Sequence, residues 1–342
     1  MLHLENFVQH TDPSLLTRKD FVPSNEVRWC PACGDFAILA QVQKALPTLG
    51  IPKENFVFVS GIGCSSRFPY YMDTYGIHSI HGRAPAVATG LKIARPDLSV
   101  WVITGDGDAL SIGGNHFIHA LRRNVGLKVL LFNNQIYGLT KGQYSPTSEV
   151  GKKTKSTPDG SIDYPLEPIR VALGAGATFV ARVLATDGPL LGDVLLKAAA
   201  HKGTAFVEIY QSCVMFNEEA FETITEVSTK DDNRVILKHG ERLLFGKNKE
   251  KGIGLNEKGE PIVIDVLKDG IAKVVVYDQT SQTLPYVLAH MSEGLPTPFG
   301  VFHSVEKTNY ETLLVEQVGR AKAKKQGSVQ AMLEEGESWV VE

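Results

Sequence analysis

Leu98-Ser-Val-Trp-Val-Ile-Thr-Gly-Asp-Gly-Asp-Ala-Leu-Ser-Ile-Gly113 is the stretch of sequence on which the reading of this chain depends. Its first seven residues form a β-branched apolar run of strand length, and the glycines at 105 and 107 end that run. Ile112, Phe117 and Leu121 then recur at helical spacing. The pattern predicts a buried strand, a tight turn and a helix N-terminus. Unpaired N–H groups at such a terminus favour a bound anion, and a diphosphate would fit.

Asp106 lies between the two glycines and would therefore stand beside that anion. A hard cation such as Mg²⁺ would remove the repulsion by bridging the carboxylate and the phosphates. A second predicted strand, Lys128-Val-Leu-Leu-Phe132, ends in Asn133-Asn134, whose amide oxygen can reach the same sheet edge. A lone Gly-Asp-Gly is usually a surface turn. Here Gly-Asp-Gly and Asn-Asn each follow a predicted strand at the same sheet edge, which favours a metal-bridged diphosphate site instead.

Gly-Asp-Gly followed at this distance by Asn-Asn resembles the thiamine diphosphate motif. The resemblance implies that Asp106, the side chain of Asn134 and the backbone carbonyl of Ile136 bind Mg²⁺. Two diphosphate oxygens and a water would complete an octahedron.

Strand and helix patterns alternate along the first two thirds of the chain. Apolar runs predict strands at 55–60, 98–104, 128–132, 178–183 and 205–210, and helical spacing predicts intervening helices at 36–46, 84–94, 165–173 and 189–201. Such alternation is typical of right-handed βαβ units. The predicted fold class is therefore α/β, a doubly wound, mainly parallel sheet that binds ligands at the carboxyl ends of its strands.

The chain of 342 residues exceeds the usual size of one domain. We expect an N-terminal arm over 1–28, an α/β domain over 29–216 and a more charged C-terminal extension over 217–342 that packs on the core or on a partner. The extension contains a predicted hairpin at 255–264 and a charged helix at 309–335. The loop from 138 to 160 is too long for a simple connector and predicts a functional lid.

Composition excludes several classes of function. The net charge of −3 gives no case for binding nucleic acid or an acidic membrane surface. The N-terminal residues carry charges without an apolar run, and no apolar stretch approaches the length of a membrane span. We therefore expect a cytoplasmic protein with no membrane association.

The four cysteines are the second feature of the sequence that indicates a functional site. Cys30 and Cys33 form a CxxC, whereas Cys64 and Cys213 each follow a predicted strand at the ligand-binding edge. Four thiolates suit a tetrahedral zinc or a four-iron four-sulfur cluster. Two disulfides, a redox CxxC with two bystanders, and buried structural thiols are the alternatives. The number of cysteines does not decide between zinc and cluster.

Six blocks in a constant order extend the resemblance. They are Trp29-Cys-Pro-Ala-Cys-Gly-Asp35, Gly61-Ile-Gly-Cys-Ser-Ser-Arg67, His81-Gly-Arg-Ala84, Gly105-Asp-Gly-Asp108 with Gly113-Gly-Asn-His116, Asn133-Asn-Gln-Ile-Tyr-Gly-Leu-Thr-Lys-Gly-Gln143 and Thr154-Lys-Ser-Thr-Pro158. Together they resemble the β subunit of the 2-oxoacid:ferredoxin oxidoreductases, most closely the 2-oxoglutarate branch. The resemblance runs from about residue 25 to beyond 216 and fades in the extension.

The resemblance implies an enzyme that converts a 2-oxoacid, CoA and oxidised ferredoxin into acyl-CoA, CO₂ and reduced ferredoxin. It implies thiamine diphosphate, Mg²⁺ and one [4Fe-4S] cluster as cofactors, with Cys30, Cys33, Cys64 and Cys213 as the cluster ligands. It also implies an α subunit, or α plus γ, that supplies the pyrimidine-binding domain and an activating glutamate. A dimer of αβ pairs is the expected assembly.

Further residues receive roles from the same resemblance. Arg67 would bind the substrate carboxylate, and the alternative is that it is a surface cation. Lys141 would contact diphosphate, substrate or CoA, and the alternative is that it is a solvated loop lysine. The residues expected to contact the cofactor are Ser65, His81, Gly105, Gly107, Asp108, Asn134, Tyr137, Leu139 and Thr140.

Three other functions remain open. The substrate could be pyruvate or a broad range of 2-oxoacids, because a partner subunit can supply much of the pocket. The chain could be half of a non-redox thiamine diphosphate decarboxylase with zinc at the cysteines. It could also be an electron-transfer subunit without thiamine diphosphate, against which the pairing of Asp106 with Asn134 stands.

Overall fold

The computed structural model describes residues 11–291, 294–324, 327–337, 339 and 341. The strands are β1 (Phe56–Ser60), β2 (Tyr75–His78), β3 (Ser99–Gly105), β4 (Leu127–Asn133), β5 (Phe179–Leu184), β6 (Ala205–Tyr210), β7 (Arg234–Leu237), β8 (Leu244–Phe245), β9 (Lys251–Leu255), β10 (Pro261–Asp265) and β11 (Thr297–Ser304). β1, β4, β5 and β6 are buried along their whole lengths, and β3 is buried except at its two ends. Continuous apolar runs of this kind suit strands that are covered on both faces.

The helices alternate with the strands over the first two thirds of the chain. They are α1 (Asp35–Ala45), α2 (Ala84–Ala94), α3 (Asp106–Leu110), α4 (Gly114–Arg123), α5 (Pro168–Gly174), α6 (Gly188–Ala200), α7 (Glu222–Thr225), α8 (Lys230–Asn233), α9 (Val266–Asp269), α10 (Leu284–Ala289), α11 (Tyr310–Lys324) and α12 (Val329–Glu334). Short 3-10 turns cover Pro13–Leu15, Arg18–Phe21, Leu46–Leu49, Lys53–Asn55, Ser65–Tyr71, Glu218–Phe221 and Ile271–Lys273.

Within the described ranges, eight strands form the main sheet in the order β2-β1-β3-β4-β6-β5-β11-β7. The six strands from β2 to β5 are parallel, and β11 pairs antiparallel with β5 and parallel with β7. One apolar cluster joins α1 and α6 on one face of the sheet, and a second joins α2, α4, α5 and α10 on the other. The predicted α/β class with a doubly wound, mainly parallel sheet is confirmed.

The region beyond residue 216 shares this sheet. β7 and β11 come from the predicted extension and continue the sheet past β5. The expected hairpin is present as β9 and β10, which pair antiparallel and form a small sheet with β8. Where one charged helix was expected over 309–335, the described residues form α11 and α12, with 325–326 outside the described part. The domain boundaries at 28 and 216 stay predictions.

The helix after the glycine turn differs from the expectation of one continuous element. It is two pieces, α3 and α4, separated at 111–113. Gly113 lies at the end of this break, where a Cβ would lie 2.3 Å from the carbonyl oxygen of Asp108 and 3.0 Å from the Cα of Gly82. The backbone thus bends where two loops touch, and Asp106 begins a helix of five residues.

The edge strand, the N-terminal arm and the absence of a membrane-spanning helix in the described residues complete the description of the fold. β2 was not predicted, and all four of its residues are exposed at the edge of the sheet. Of the expected arm over 1–28, residues 1–10 lie outside the described residues, and Phe21 is buried against the core. In the part of the chain that the structure describes, no helix has the length and apolarity needed to cross a membrane.

Candidate active site

A cavity of about 510 Å³ opens at the carboxyl ends of the central strands. Its lining contains most of the residues that the sequence singled out for cofactor and metal contacts: Ser65, His81, Gly105, Asp106, Gly107, Asp108, Asn134, Ile136, Tyr137, Leu139 and Thr140. We call it the cofactor cavity. The parallel register explains the convergence, because β1, β3 and β4 all end at this edge.

Asp106 is a buried carboxylate at the wall of the cofactor cavity, with 3% of its surface exposed. The hydroxyl of Thr147 donates to its Oδ2 at 2.8 Å. Burial raises the pKa of Asp106 to about 6, while hydrogen bonds from Ser145 and Thr147 act in the opposite direction. A carboxylate that is costly to ionise without a partner gains from a bound cation, so this donor fits a divalent metal.

The segment after β4 turns sharply at Gln135, whose φ of +54° is left-handed. Asn134 and Ile136 flank this residue and are both buried at the cavity wall. The side chain of Asn217 donates to the carbonyl oxygen of Asn134 at 2.9 Å. The turn therefore holds an amide side chain and a peptide carbonyl at the same wall as Asp106, and these are oxygen donors of the kind that Mg²⁺ accepts.

Gly107 lies on the same wall for a steric reason. A Cβ at this position would lie 2.1 Å from Cε1 of the Tyr137 ring. The hydroxyl of Tyr137 donates to the carbonyl oxygen of Gly107 at 3.2 Å. The glycine thus allows the ring to close the cavity wall.

Asp108 organises the neighbouring loops with its carboxylate. Oδ1 accepts hydrogen bonds from the backbone N–H groups of Gly82 and Ile62 and contacts His81 Nδ1 at 2.7 Å, and Oδ2 accepts from the hydroxyl of Thr104 at 2.6 Å. Gly61 packs so closely that an added Cβ would lie 2.0 Å from Oδ2. These donors satisfy the carboxylate within the protein, so Asp108 shapes the cofactor cavity by holding its loops.

The four cysteines line a second, smaller cavity of about 190 Å³, together with Arg67. We call it the cysteine cavity. All four are free thiols; Cys30 is exposed and the other three are partly buried. A Cβ on Gly138 would lie 3.3 Å from the sulfur of Cys213 and 3.7 Å from that of Cys64. Two of the sulfurs therefore face one glycine that leaves space between them.

Two of the thiols, those of Cys33 and Cys64, are poor acids in this setting. Burial and the nearby Asp35 carboxylate raise the pKa of Cys64 to about 12 and raise the pKa of Cys33 well above its usual range. Asp35 itself is fully buried, and in the described part of the chain neither of its oxygens accepts a well-formed hydrogen bond. Burial raises the pKa of Asp35 to about 7. A metal centre would bind these cysteines as thiolates, because metal–sulfur bonds replace the thiol protons.

The two cavities adjoin. Cys64, Asn134, Gly138, Leu139 and Gln211 line both of them. An electron carrier in the cysteine cavity would therefore be the direct neighbour of a ligand in the cofactor cavity.

Two predicted residues lie elsewhere. Arg67 is in the cysteine cavity and not among the residues of the cofactor cavity, and its Nη1 donates to the carbonyl oxygen of Arg28 at 3.1 Å. Lys141 lines neither cavity; it is exposed at a turn with a φ of +78°. Their catalytic roles stay predictions.

Sequence reasoning missed Gln211, which is buried and lines both cavities. It follows Tyr210, the last residue of β6, and its N–H donates to the carbonyl oxygen of Asn133. The available signal was its position one residue after a buried strand, the same signal that identified Asn134. Gln143 and Phe132 also line the cofactor cavity and were not predicted.

Comparison with known proteins agrees with the family that the sequence motifs resemble. Residues 61–209 match the thiamine pyrophosphate enzyme C-terminal TPP binding domain. The 2-oxoglutarate oxidoreductase subunit KorB of Mycobacterium tuberculosis is 51% identical over 338 residues, which are 95% of this chain and 88% of that one. The 2-oxoacid:ferredoxin oxidoreductase subunit beta of Saccharolobus solfataricus is 47% identical over 56% of this chain and 63% of its own length.

A solved structure gives the same result at the level of the fold. The 2-oxoglutarate:ferredoxin oxidoreductase from Magnetococcus marinus, with 2-oxoglutarate, coenzyme A and succinyl-CoA bound, superposes with a TM-score of 0.75 at 34% identity. The match covers 94% of both chains and so includes the region beyond residue 216. With half of its sequence shared along nearly its whole length, this chain belongs to the β subunits of the 2-oxoacid:ferredoxin oxidoreductases, in the branch of the 2-oxoglutarate enzymes.

Proposed function

We propose that this chain is the catalytic β subunit of an enzyme that converts 2-oxoglutarate, CoA and oxidised ferredoxin into succinyl-CoA, CO₂ and reduced ferredoxin. One observation carries the proposal: a cavity lined by the buried Asp106, by Asn134 and by Ile136 adjoins a cavity lined by four cysteines. Oxidative decarboxylation needs both an electron sink for the carbanion and an electron acceptor next to it. The names of the relatives support 2-oxoglutarate as the substrate.

In the cofactor cavity, the carboxylate of Asp106, the side chain of Asn134 and the carbonyl of Ile136 would hold Mg²⁺. The buried Asp106 supports this assignment, because it has a raised pKa and lacks a cationic partner in the hydrogen bonds described. Thiamine diphosphate, when bound, supplies a carbanion and then an electron sink for the loss of CO₂. Gly107 and Tyr137 would exclude water from one side of the site, and Asp108 would keep the two loops beside it in place.

In the cysteine cavity, Cys30, Cys33, Cys64 and Cys213 would hold one [4Fe-4S] cluster, which accepts one electron at a time. Within the described residues, no three His, Cys, Asp or Glu side chains are arranged to bind a single metal ion. The proposed reaction needs an electron acceptor beside the cofactor cavity, which zinc cannot supply, so the four thiolates favour the cluster. Burial raises the pKa of Cys64, and the positive charge of Arg67 opposes that rise and would favour the thiolate form.

The chain also needs a partner under this proposal. It carries one thiamine-binding domain, and Ile62 and Leu139 of the cofactor cavity are exposed, which suits a site completed by another subunit. We propose an α subunit that supplies the pyrimidine-binding domain and an activating glutamate, in a dimer of αβ pairs. Four free thiols suit a reducing cytoplasm as the location.

A broader 2-oxoacid specificity is the second candidate. It rests on the archaeal relatives, which are named 2-oxoacid:ferredoxin oxidoreductases and are 46–48% identical over about half of this chain. Arg67, the predicted contact for a substrate carboxylate, lines the cysteine cavity and gives no support for a pocket that selects a second carboxylate.

The test is an anaerobic visible and EPR spectrum of the co-purified complex, recorded before and after addition of 2-oxoglutarate or, in a separate sample, of pyruvate, with and without CoA. We expect a brown protein whose radical or reduced-cluster signal develops with 2-oxoglutarate. An equal response to pyruvate would favour the broader specificity. A colourless, zinc-containing protein would overturn the redox proposal.

A further inference from the structure

A buried ion pair lies at the centre of the main sheet, close to the cofactor cavity. Arg182 on β5 donates from Nε to Oε2 of Glu208 on β6 at 2.7 Å, and the two side chains are 4% and 0% exposed. The Arg182 guanidinium also lies over the Tyr210 ring, 4.9 Å from its centroid. Apolar residues of the same volume often stabilise a protein as well as such a pair does, so the pair calls for a functional explanation.

The second carboxylate oxygen of Glu208 links the ion pair to Asn133. Oε1 accepts a hydrogen bond from Nδ2 of Asn133, the last residue of β4, at 2.8 Å. A carboxylate can only accept here, so the amide of Asn133 must turn its NH₂ toward Glu208 and its oxygen away from it. The ion pair therefore sets the orientation of this amide.

The oxygen of Asn133 then contacts the metal-binding turn. Oδ1 accepts from the backbone N–H of Gln135 at 3.1 Å and lies 2.9 Å from the hydroxyl oxygen of Thr147. Gln135 is the left-handed residue between Asn134 and Ile136. The hydroxyl of Thr147 also contacts Oδ2 of Asp106 at 2.8 Å. One amide thus accepts a hydrogen bond from the turn that carries Asn134 and Ile136, and the hydroxyl of Thr147 lies between this amide and Asp106.

We propose that Glu208, held by Arg182, is a positioning residue for the metal site: through the amide of Asn133 it holds the turn at Gln135, which lies between Asn134 and Ile136. The proposal rests on the Mg²⁺ site of the proposed function. It adds that side chains on β5 and β6 position the residues that would bind the metal. Hydrogen bonds behind the ligands of a metal commonly change its affinity by roughly 10–100-fold.

The test uses the co-purified complex after removal of Mg²⁺ and thiamine diphosphate with a chelator under anaerobic conditions. Thiamine diphosphate binding is followed by calorimetry at increasing Mg²⁺ in wild type, Asn133→Ser and Glu208→Gln. We expect the Mg²⁺ concentration for half-saturation to rise about tenfold in both variants, with binding restored at high Mg²⁺ and with iron content unchanged. Because the two residues form one connection, the double variant should rise by much less than the product of the single effects.

Thr204→Val is the matched control. Its hydroxyl is buried and donates to the carbonyl oxygen of Val125, away from the carboxyl ends of the strands. The control should lose some stability and keep the Mg²⁺ dependence of wild type. Asn133→Ser leaves Arg182 paired with Glu208, so it tests the proposal even if Glu208→Gln does not fold.

Unchanged Mg²⁺ dependence in Asn133→Ser, or an equal rise in Thr204→Val, would overturn this inference. The failure of the proposed function looks different, because wild type itself would then bind thiamine diphosphate without a requirement for Mg²⁺ or would not bind it.

Discussion

The cofactor cavity and the cysteine cavity share a wall but differ in how their polar groups are satisfied. In the cofactor cavity, Asp108 has a donor for each carboxylate oxygen, and Asp106 has the hydroxyl of Thr147. In the cysteine cavity, burial raises the pKa of the Cys33 and Cys64 thiols, and the nearby buried Asp35 has no well-formed hydrogen bond among the described residues. The first site is organised largely by the protein, whereas the second needs its occupant.

This difference has a physical origin. Loops that bind a soluble, exchangeable cofactor must keep their shape when it leaves, and hydrogen bonds within the protein provide that. A covalently ligated cluster supplies its own bonds, so its binding energy can offset buried, unsatisfied groups. Removal of the occupant should therefore disturb the cysteine cavity more than the cofactor cavity.

The largest expected effect is on the metal site. Asp106→Ala should lower Mg²⁺-dependent retention of thiamine diphosphate by at least about 100-fold, because the charged ligand that we propose for the metal is lost. Cofactor content after gel filtration measures this, with Asp193→Ala, an exposed pair with Lys197 on α6, as the control. Normal retention in Asp106→Ala would refute the assignment of this motif.

The next effect concerns the cluster. Cys213→Ser should lose most of the iron, because a hydroxyl is a poor replacement for a thiolate, while thiamine diphosphate binding should fall much less. Iron and acid-labile sulfide per chain are the measurements, with Asp106→Ala as the reciprocal case. Iron content equal to wild type would remove Cys213 from the ligand set, and parallel losses of both cofactors would contradict the contrast between the cavities.

A smaller change tests the shape of the cofactor cavity. Gly107→Ala should weaken thiamine diphosphate binding by roughly tenfold, because its Cβ would overlap the Tyr137 ring. Gly90→Ala is the control: Gly90 lies within α2 with nothing near its Cβ position, so alanine should raise helix stability by up to about 1 kcal/mol. Binding in Gly107→Ala equal to that in the control would show that Tyr137 can move at little cost.

The smallest effect is on stability as a function of pH. Burial raises the pKa of Asp106 to about 6 in the folded protein, so the folded state holds a proton that the unfolded state releases at lower pH. The metal-free protein should lose stability as pH rises from about 4 to 6, and Asp106→Asn should remove that loss. We expect Asp106→Asn to melt roughly 2–5 °C higher at pH 7.5, a difference that shrinks toward pH 4. A difference independent of pH would exclude ionisation of Asp106 as the cause.

Much of the site could be predicted because its residues follow strands. Gly105, Asn134 and Cys64 were each located by a simple rule, that parallel strands deliver their carboxyl ends to one edge. The rule also applied to Gln211, yet a glutamine after a strand has no distinctive chemistry of its own. Arg67 and Lys141 had distinctive chemistry but lie outside the cofactor cavity, because side-chain direction depends on turns that sequence patterns leave open.

By itself, the sequence determined the alternating strands and helices, the glycine turn with Asp106 and the CxxC of Cys30 and Cys33, since each depends on neighbours along the chain. Only the tertiary structure decided that β11 joins the sheet antiparallel to β5, and that the Arg182–Glu208 pair reaches Asn133. These pairings join residues far apart in sequence, and their energy comes from burial and geometry that exist only after the sheet has formed.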